Sequence, residues 1–354
     1  MPKITLSPAN LVEWGLKMTF RKSLRFPSLL LIFLIAVISS SPAGAGSQEP
    51  GSGLDSFFLK SRVTVAVTDS GLGGLSVMAE AVRRMKESDI FEKADFIFFN
   101  ALFSAGSGYN SLKTRTEKIR IFSSALESLE SRYRPDIILI GCNTLSVLYE
   151  DTPFSRKTKV PVVGIVAAGV ELISRGLQEH SEASVIIFGT PTTISEGAYT
   201  RKLESLGFAS SRIHSQSCPE LESFIERDYQ GDETGMLISG CVNEALQNME
   251  PPLPPLFVSL NCTHYGYALP LWRKAFEEAG VKPLDILNPN SRMTDVLFDK
   301  KYMGKHKKTE VHAKVVSMVE ISRSKIESLG GWLQEVSPEV ADALRLYEHV
   351  PGLF

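Results

Sequence analysis

The chain has 354 residues, 43% of them hydrophobic and 22% charged, with a formal net charge of −2. That size and balance suit a globular protein of one large or two ordinary domains, and the near-neutral charge gives no electrostatic footprint for nucleic acid. Four widely spaced cysteines, Cys142, Cys218, Cys241 and Cys262, form no CxxC pair and no Cys/His cluster of zinc spacing, which argues against a structural metal and leaves a small molecule as the expected ligand.

Residues 1–45 read as a signal peptide outside the fold. Arg21, Lys22 and Arg25 precede an apolar core from Leu29 to Ile38, and Ala43 and Ala45 give the small-x-small pattern of a signal-peptidase site. That core is short for a membrane span, so cleavage rather than anchoring is expected. The stretch before Met18 is long for a basic leader, so translation is expected to start at Met18. Residues 46–61 read as a linker. The expected location is the periplasm, with the cytoplasm as the alternative.

Arg62 to Thr68 reads as the first strand and runs into Asp69-Ser70-Gly71-Leu72-Gly73-Gly74 before an amphipathic helix over 75–85. Backbone N–H groups of such a turn can cradle an anion, but it lacks the G-x-G-x-x-G order and a Walker lysine. A tight turn with Asp69 capping the helix reads equally well. A second strand over 95–100 leads to a Gly/Ser loop holding Tyr109-Asn110-Ser111, then a helix over 114–132. The third strand, 137–140, ends at Cys142-Asn143-Thr144, and a fourth spans 160–165.

Alternation continues with a strand over 183–188, the hydroxyl-rich Gly189-Thr190-Pro191-Thr192-Thr193, and a helix over 199–206. A short strand over 214–219 ends at Cys218-Pro219. The helix after it carries Glu220, Glu222 and Glu226; acids on such helices are ordinarily solvated, and Glu220 and Glu222 are read so. A helix over 235–247, a strand over 256–260 delivering Cys262-Thr263-His264-Tyr265, a strand over 283–287 ending at Asn288, an edge strand over 311–321 and a closing helix over 337–347 complete the chain. The fold class is α/β, with two doubly wound domains facing across a cleft. The first takes 62–165 and 283–354 and carries Cys142; the second takes 166–282 and carries Cys262.

Each of these two cysteines closes a continuous apolar run, the pattern of a buried parallel strand, whose C-terminal end is where open α/β sheets place ligands. One cysteine in that position is ordinarily core. Two, each beside a threonine and one in each half, point to chemistry. Helical spacing follows both, so a helix N-terminus is expected to favour the thiolate. Cys218 and Cys241 lack the hydroxyl cluster and are expected to be core.

Asp69-Ser70-Gly71-Leu72-Gly73-Gly74, Tyr109-Asn110-Ser111, Cys142-Asn143-Thr144, the 160–165 strand, Gly189-Thr190 with Thr193, Cys218-Pro219 and Cys262-Thr263-His264-Tyr265 occur in an order and spacing that resembles the aspartate/glutamate racemase family, most closely its glutamate racemases. The resemblance implies a cofactor-independent racemase of glutamate or aspartate in which one thiol removes the α-proton and the other returns it on the opposite face. It further implies that Asp69 assists Cys142, that His264 with Glu226 assists Cys262, and that Ser70, Tyr109, Asn110, Ser111, Asn143, Thr144, Thr190, Thr193 and Thr263 bind the substrate. No cofactor or metal is expected, no nucleic-acid partner and no lasting membrane anchor; a homodimer fits. The chain departs from the family's pattern at Asn100-Ala101-Leu102, Gly108-Tyr109-Asn110-Ser111, Asn261, Gly266 and Asn288, which points to an altered side-chain specificity. An isomerase or decarboxylase of a small diacid on the same fold, and an exported solute-binding protein, are the competing readings. The first would use one or both cysteines differently, and the presence of both argues against a one-thiol decarboxylase; the second binds without needing paired thiols.

Overall fold

In the computed structural model residues 51–354 are described, so the signal peptide, the start at Met18 and the beginning of the linker lie outside the described residues. Part of the expected linker is helical: α1 (Gly51–Phe58) brings Phe57 and Phe58 into the core. Phe57 packs edge-on to Phe91 with ring centroids 5.1 Å apart, and Phe58 stacks on Tyr302 at the same spacing. Burying a Phe side chain stabilises by about 1.5–3 kcal/mol, which is enough to order so short a helix against the body.

The strands in chain order are β1 (Arg62–Asp69), β2 (Lys93–Asn100), β3 (Ile137–Ile140), β4 (Val162–Gly164), β5 (Ser184–Gly189), β6 (Ile213–Ser217), β7 (Leu256–Asn261), β8 (Asp285–Leu287), β9 (Glu310–Ser317) and β10 (Glu348–His349). They form two sheets, one ordered β10-β9-β2-β1-β3-β4 and the other β6-β5-β7-β8, with every pairing parallel. Strands β3, β5 and β7 are buried along their whole length. That is why they are written as unbroken apolar runs rather than as alternating patterns.

Helices supply the crossovers. α2 (Leu75–Ser88) joins β1 to β2 and turns Val77, Met78, Ala81, Val82 and Met85 into the core. α3 (Arg115–Tyr133) joins β2 to β3 and opens with a capping box between Thr114 and Glu117, a device worth about 1 kcal/mol. The four-residue α4 (Asn143–Ser146) follows β3, and α5 (Ile165–Glu179) carries the chain into the second sheet. There α6 (Pro191–Ser195) and α7 (Ala198–Ser205) follow β5, α8 (Leu221–Arg227) and α9 (Asp232–Gln247) follow β6, α10 (Leu269–Glu278) follows β7 and α11 (Pro289–Met293) follows β8. α12 (Arg323–Val336) and α13 (Pro338–Arg345) lie between β9 and β10.

Two boundaries differ from the sequence reading. β8 pairs with β7, Val258 beside Ile286, so the chain returns to the first sheet at β9 and not at residue 283. β9 is an edge only in part, because β10 covers Val316 and Ser317. Both sheets nonetheless belong to one compact unit. Asn290 helps join them, donating from Nδ2 to Ser76 Oγ on α2 and to the Thr263 carbonyl beyond β7, each at 2.9 Å.

Connectivity sets the place of the site. From β1 the first sheet is built outward to β2 and then, on the other side, to β3; from β5 the second is built to β6 and then to β7. Such reversals open a crevice beyond the carboxyl ends of the two flanking strands. In the first sheet those ends carry Asp69-Ser70 and Cys142; in the second, Thr190 and Cys262.

Candidate active site

The two crevices open onto one pocket of about 420 Å³, lined among others by Asp69, Ser70, Cys142, Thr190, Cys262 and His264. Tyr109, Asn110, Ser111, Asn143, Thr144, Glu226 and Thr263 also line it, so every expected site residue but Thr193 reaches the pocket wall. Thr193 stands behind: its hydroxyl is 3.0 Å from that of Thr190, which in turn is 2.8 Å from that of Thr144.

The glycine-rich turn after β1 explains how two sheets close on one site. A Cβ on Gly73 would sit 2.6 Å from His264 Nδ1, and one on Gly71 would sit 2.7 Å from Glu226 Oε1. Only glycine permits that approach. The turn does receive an anion, as its backbone allows, but the anion is the protein's own: the Leu72 N–H donates to Glu226 Oε1 at 2.8 Å.

Around Cys142 the side chains form a short acidic chain. Ser70 Oγ lies 3.2 Å from Cys142 Sγ and 3.5 Å from Asp69 Oδ1. Burial raises the Asp69 carboxyl above its ordinary value, outweighing the charge of His264 and the hydrogen bonds from Thr263, Cys142 and Ser70 that favour the carboxylate. Burial also pushes the Cys142 thiol well up, and the Asp69 charge pushes the same way.

Cys262 has a different set of neighbours. His264 Nδ1 is 3.5 Å from its sulfur, and His264 Nε2 is 2.8 Å from Glu226 Oε1. Lys325, from α12, donates to Glu226 Oε2 at 2.6 Å. Burial alone would raise the Glu226 carboxyl, but the hydrogen bonds and charges of His264 and Lys325 hold it down at about 2. Burial would likewise lower His264; the Glu226 bond and charge, with the charges of Asp69 and Glu222, win and raise it. The Cys262 thiol is pushed well up by burial first and by the Glu222 charge second.

These directions correct the expectation of thiolates at helix N-termini. α4 has only four residues, and Cys262 is followed by a 3-10 turn over Tyr265–Ala268 rather than directly by α10. Neither makes an appreciable dipole, while both cysteines are at most 5% exposed. Desolvation wins.

Asn143 is prepared as a donor. Tyr199 OH donates to its Oδ1 at 2.5 Å, which fixes the amide and leaves Nδ2 buried without a partner among the described residues. Ser111 Oγ is spent on the Gly108 carbonyl at 2.7 Å, so it lines the pocket without facing a ligand freely. The Tyr109 hydroxyl is buried without a partner among the described residues. Burial, then the charge of Cys142, raise its pKa.

Sequence reading missed three charged pocket residues. Glu220 and Glu222, taken as solvated, both line the pocket, Glu222 one turn before Glu226, and Lys325 was not singled out at all. The i, i+4 spacing of Glu222 and Glu226 could have shown that the two share a helix face. Nothing in the chain near Lys325 signals its partner. Cys218 is buried and Cys241 half-buried, away from the pocket wall.

Fold and pocket together define a two-sheet parallel α/β protein with one thiol from each sheet at a single small-molecule site. The family model described as Asp/Glu/Hydantoin racemase matches residues 72–252, over half of the chain, and the chain belongs to that family. A glutamate racemase of Aquifex pyrophilus is 28% identical over 214 residues, covering 60% of this chain and 74% of the relative. One from Streptococcus sanguinis is 26% identical over 208 residues, covering 58% and 71%. The crystal structure of glutamate racemase from Francisella tularensis in complex with D-glutamate superposes with a TM-score of 0.59 at 20% identity, covering 81% of this chain and 97% of that one. At that identity the likeness speaks for the fold.

Proposed function

We propose that the protein is a cofactor-independent amino-acid racemase in which Cys142 and Cys262 exchange the α-proton on opposite faces of the substrate. The observation that carries this is the pair of buried thiols on one pocket, each with its own acid–base neighbours: Ser70 and Asp69 for Cys142, His264 and Glu226 for Cys262. A binding protein needs no such pairs.

The substrate carboxylate meets Asn143 Nδ2 and the hydroxyls of Thr144 and Thr190, and the ammonium group meets Asp69. Burial keeps both thiols protonated at rest, and an entering ammonium group favours ionisation of either one. The proton released beside Cys142 leaves by way of Ser70 and Asp69 to water, so that Asp69 remains the carboxylate that faces the ammonium group. Imidazolium at His264, held by Glu226, stands ready to reprotonate Cys262. One thiolate then removes the α-proton and becomes a thiol, while the opposite thiol delivers its proton and becomes the thiolate. Reversal of the roles gives the reverse reaction.

Glutamate and aspartate head the candidate substrates because the named relatives are glutamate racemases. The N-terminal segment supports export, and N-terminal sequencing of the protein from the periplasmic fraction should read from about Gly46; an intact leader in the cytoplasm would remove that part. The test of the reaction is deuterium incorporation at Cα, followed by NMR in D₂O under reducing conditions over a panel of L- and D-amino acids. Exchange from both enantiomers of one amino acid is expected, with racemisation lost in Cys142→Ser and in Cys262→Ser. Undiminished racemisation in either variant would overturn the two-thiol mechanism.

A further inference from the structure

Glu222 is a pocket carboxylate that the proton-transfer scheme gives no proton to carry. Asn110 Nδ2 donates to its Oε1 at 3.0 Å. Its other oxygen, Oε2, is buried and has no hydrogen-bond partner among the described residues. The Asn110 amide cannot simply turn to serve it, because Asn110 Oδ1 accepts from Thr192 Oγ1 at 2.7 Å on the other side. Nor is a cation at hand: the two that line the pocket, Lys325 and His264, are both engaged by Glu226, at 2.6 and 2.8 Å.

A carboxylate oxygen turned away from water without a donor is costly unless something entering the site supplies one. The substrate's α-ammonium is better placed elsewhere. Asp69 is tied to Cys142 through Ser70 and to the Cys262 loop through Thr263, whose hydroxyl donates to Asp69 Oδ2 at 2.7 Å, so the acceptor for the ammonium belongs to the two thiol loops. Glu222 is tied instead, through Asn110, to the 101–111 loop that follows β2. That loop is therefore the part of the pocket assigned to the side-chain end of a bound amino acid, although the Glu222 charge also reaches Cys262.

We propose that the substrate's side chain ends in an N–H donor, an amide or a cationic nitrogen, which binds Glu222 Oε2 where a carboxylate end would be repelled. This rests on the amino-acid racemase reading but departs from it in the substrate, displacing glutamate and aspartate, which head the candidates only on the names of the relatives. A side chain ending in carboxylate would set a second negative charge against Glu222 with no free cation between them, and like charges in a partly desolvated site reject a ligand more strongly than a lost contact does.

The test is Cα deuterium exchange by the full-length mature protein with glutamine, asparagine, lysine, ornithine and arginine against glutamate and aspartate. At least a tenfold higher kcat/KM is expected for one of the N–H-ended side chains than for either carboxylate. Glutamine or asparagine in the lead assigns an amide to the subsite, and lysine, ornithine or arginine a cation. Glu222→Gln should shrink that ratio at least tenfold, mainly through KM, while Asn110→Gly, which keeps the carboxylate, should preserve the preference. Fastest exchange with glutamate or aspartate in the unaltered protein overturns the proposal and leaves the racemase reading standing. An N–H preference unmoved in Glu222→Gln, or lost in Asn110→Gly, removes Glu222 from the role. Absence of exchange with every amino acid overturns the racemase reading and this proposal with it.

Discussion

The hydroxyl of Thr263 donates to Asp69 Oδ2 at 2.7 Å, joining residues 194 positions apart and two different sheets. Through this bond the carboxyl that neighbours Cys142 is held by the residue next to Cys262. Thr263→Val keeps the shape and removes the donor. Leaving a buried acceptor short costs about 1–3 kcal/mol, and losing one of the bonds that favour the carboxylate drives Asp69 further up. The acidic limb of the kcat/KM profile should move to higher pH, and Thr263→Ser should restore it. A Val variant with unchanged pH profile and lowered activity would make the contact structural only.

Gly73 tests how closely the sheets must approach. A Cβ there would meet the Thr263 hydroxyl more closely still than His264 Nδ1 at 2.6 Å, too near for either side chain to stay where it is. Gly73→Ala should cost about 1–3 kcal/mol in urea unfolding and lower kcat/KM roughly a hundredfold by displacing the imidazole. Gly331→Ala on α12, where a new Cβ meets nothing within 4 Å, serves as the control. It should leave activity alone and add about 1 kcal/mol through helix propensity.

The Glu226–His264 pair makes stability depend on pH from both sides. Glu226 is held below its ordinary 4.5, at about 2, so its contribution is present above pH 4.5 and lost as pH falls toward 2. His264 is raised above 6.5, so its contribution is present below pH 6.5 and lost as pH climbs through its raised value. Both contribute fully between pH 4.5 and 6.5. Glu226→Gln strands a buried imidazolium and Lys325, and should lower stability near pH 6 by about 3–5 kcal/mol. The decline below pH 4.5 should also flatten. Unfolding curves for the two proteins that run parallel from pH 6 to pH 3 would contradict this account.

Strand ends were legible in the sequence for a physical reason. Parallel strands buried on both faces, such as Ile137–Ile140 and Leu256–Asn261, are written as continuous apolar runs, and the polar residue that ends each run marks the crevice. What stayed hidden depends on tertiary neighbours. α8 shows the same acids whether solvated or facing a pocket, and only the packing of α12 against it turns Glu222 and Glu226 inward and brings Lys325 to a partner 99 positions away. β8, three residues long, has too little pattern to declare its sheet. Phe57 and Phe58 are hidden in the sequence by the Gly/Ser-rich stretch before them, which has the composition of a linker and no helical pattern of its own.

The state of the thiols in the free protein separates burial from the helix dipole most directly. A thiolate stabilised by a helix N-terminus would react with iodoacetamide at a rate already on its plateau at neutral pH. Here burial, with the Asp69 charge at Cys142 and the Glu222 charge at Cys262, holds both thiols protonated. Mass spectrometry after alkylation at pH 7.5 should therefore find the half-buried Cys241 modified first and Cys142 and Cys262 nearly untouched, with their rates still rising above pH 9. In Glu222→Gln one of the charges that raises Cys262 is gone, so its alkylation should quicken while that of Cys142 stays the same. Fast, pH-independent labelling of either thiol near neutrality would mean that a resting thiolate exists and that the substrate's ammonium group is not needed to create it.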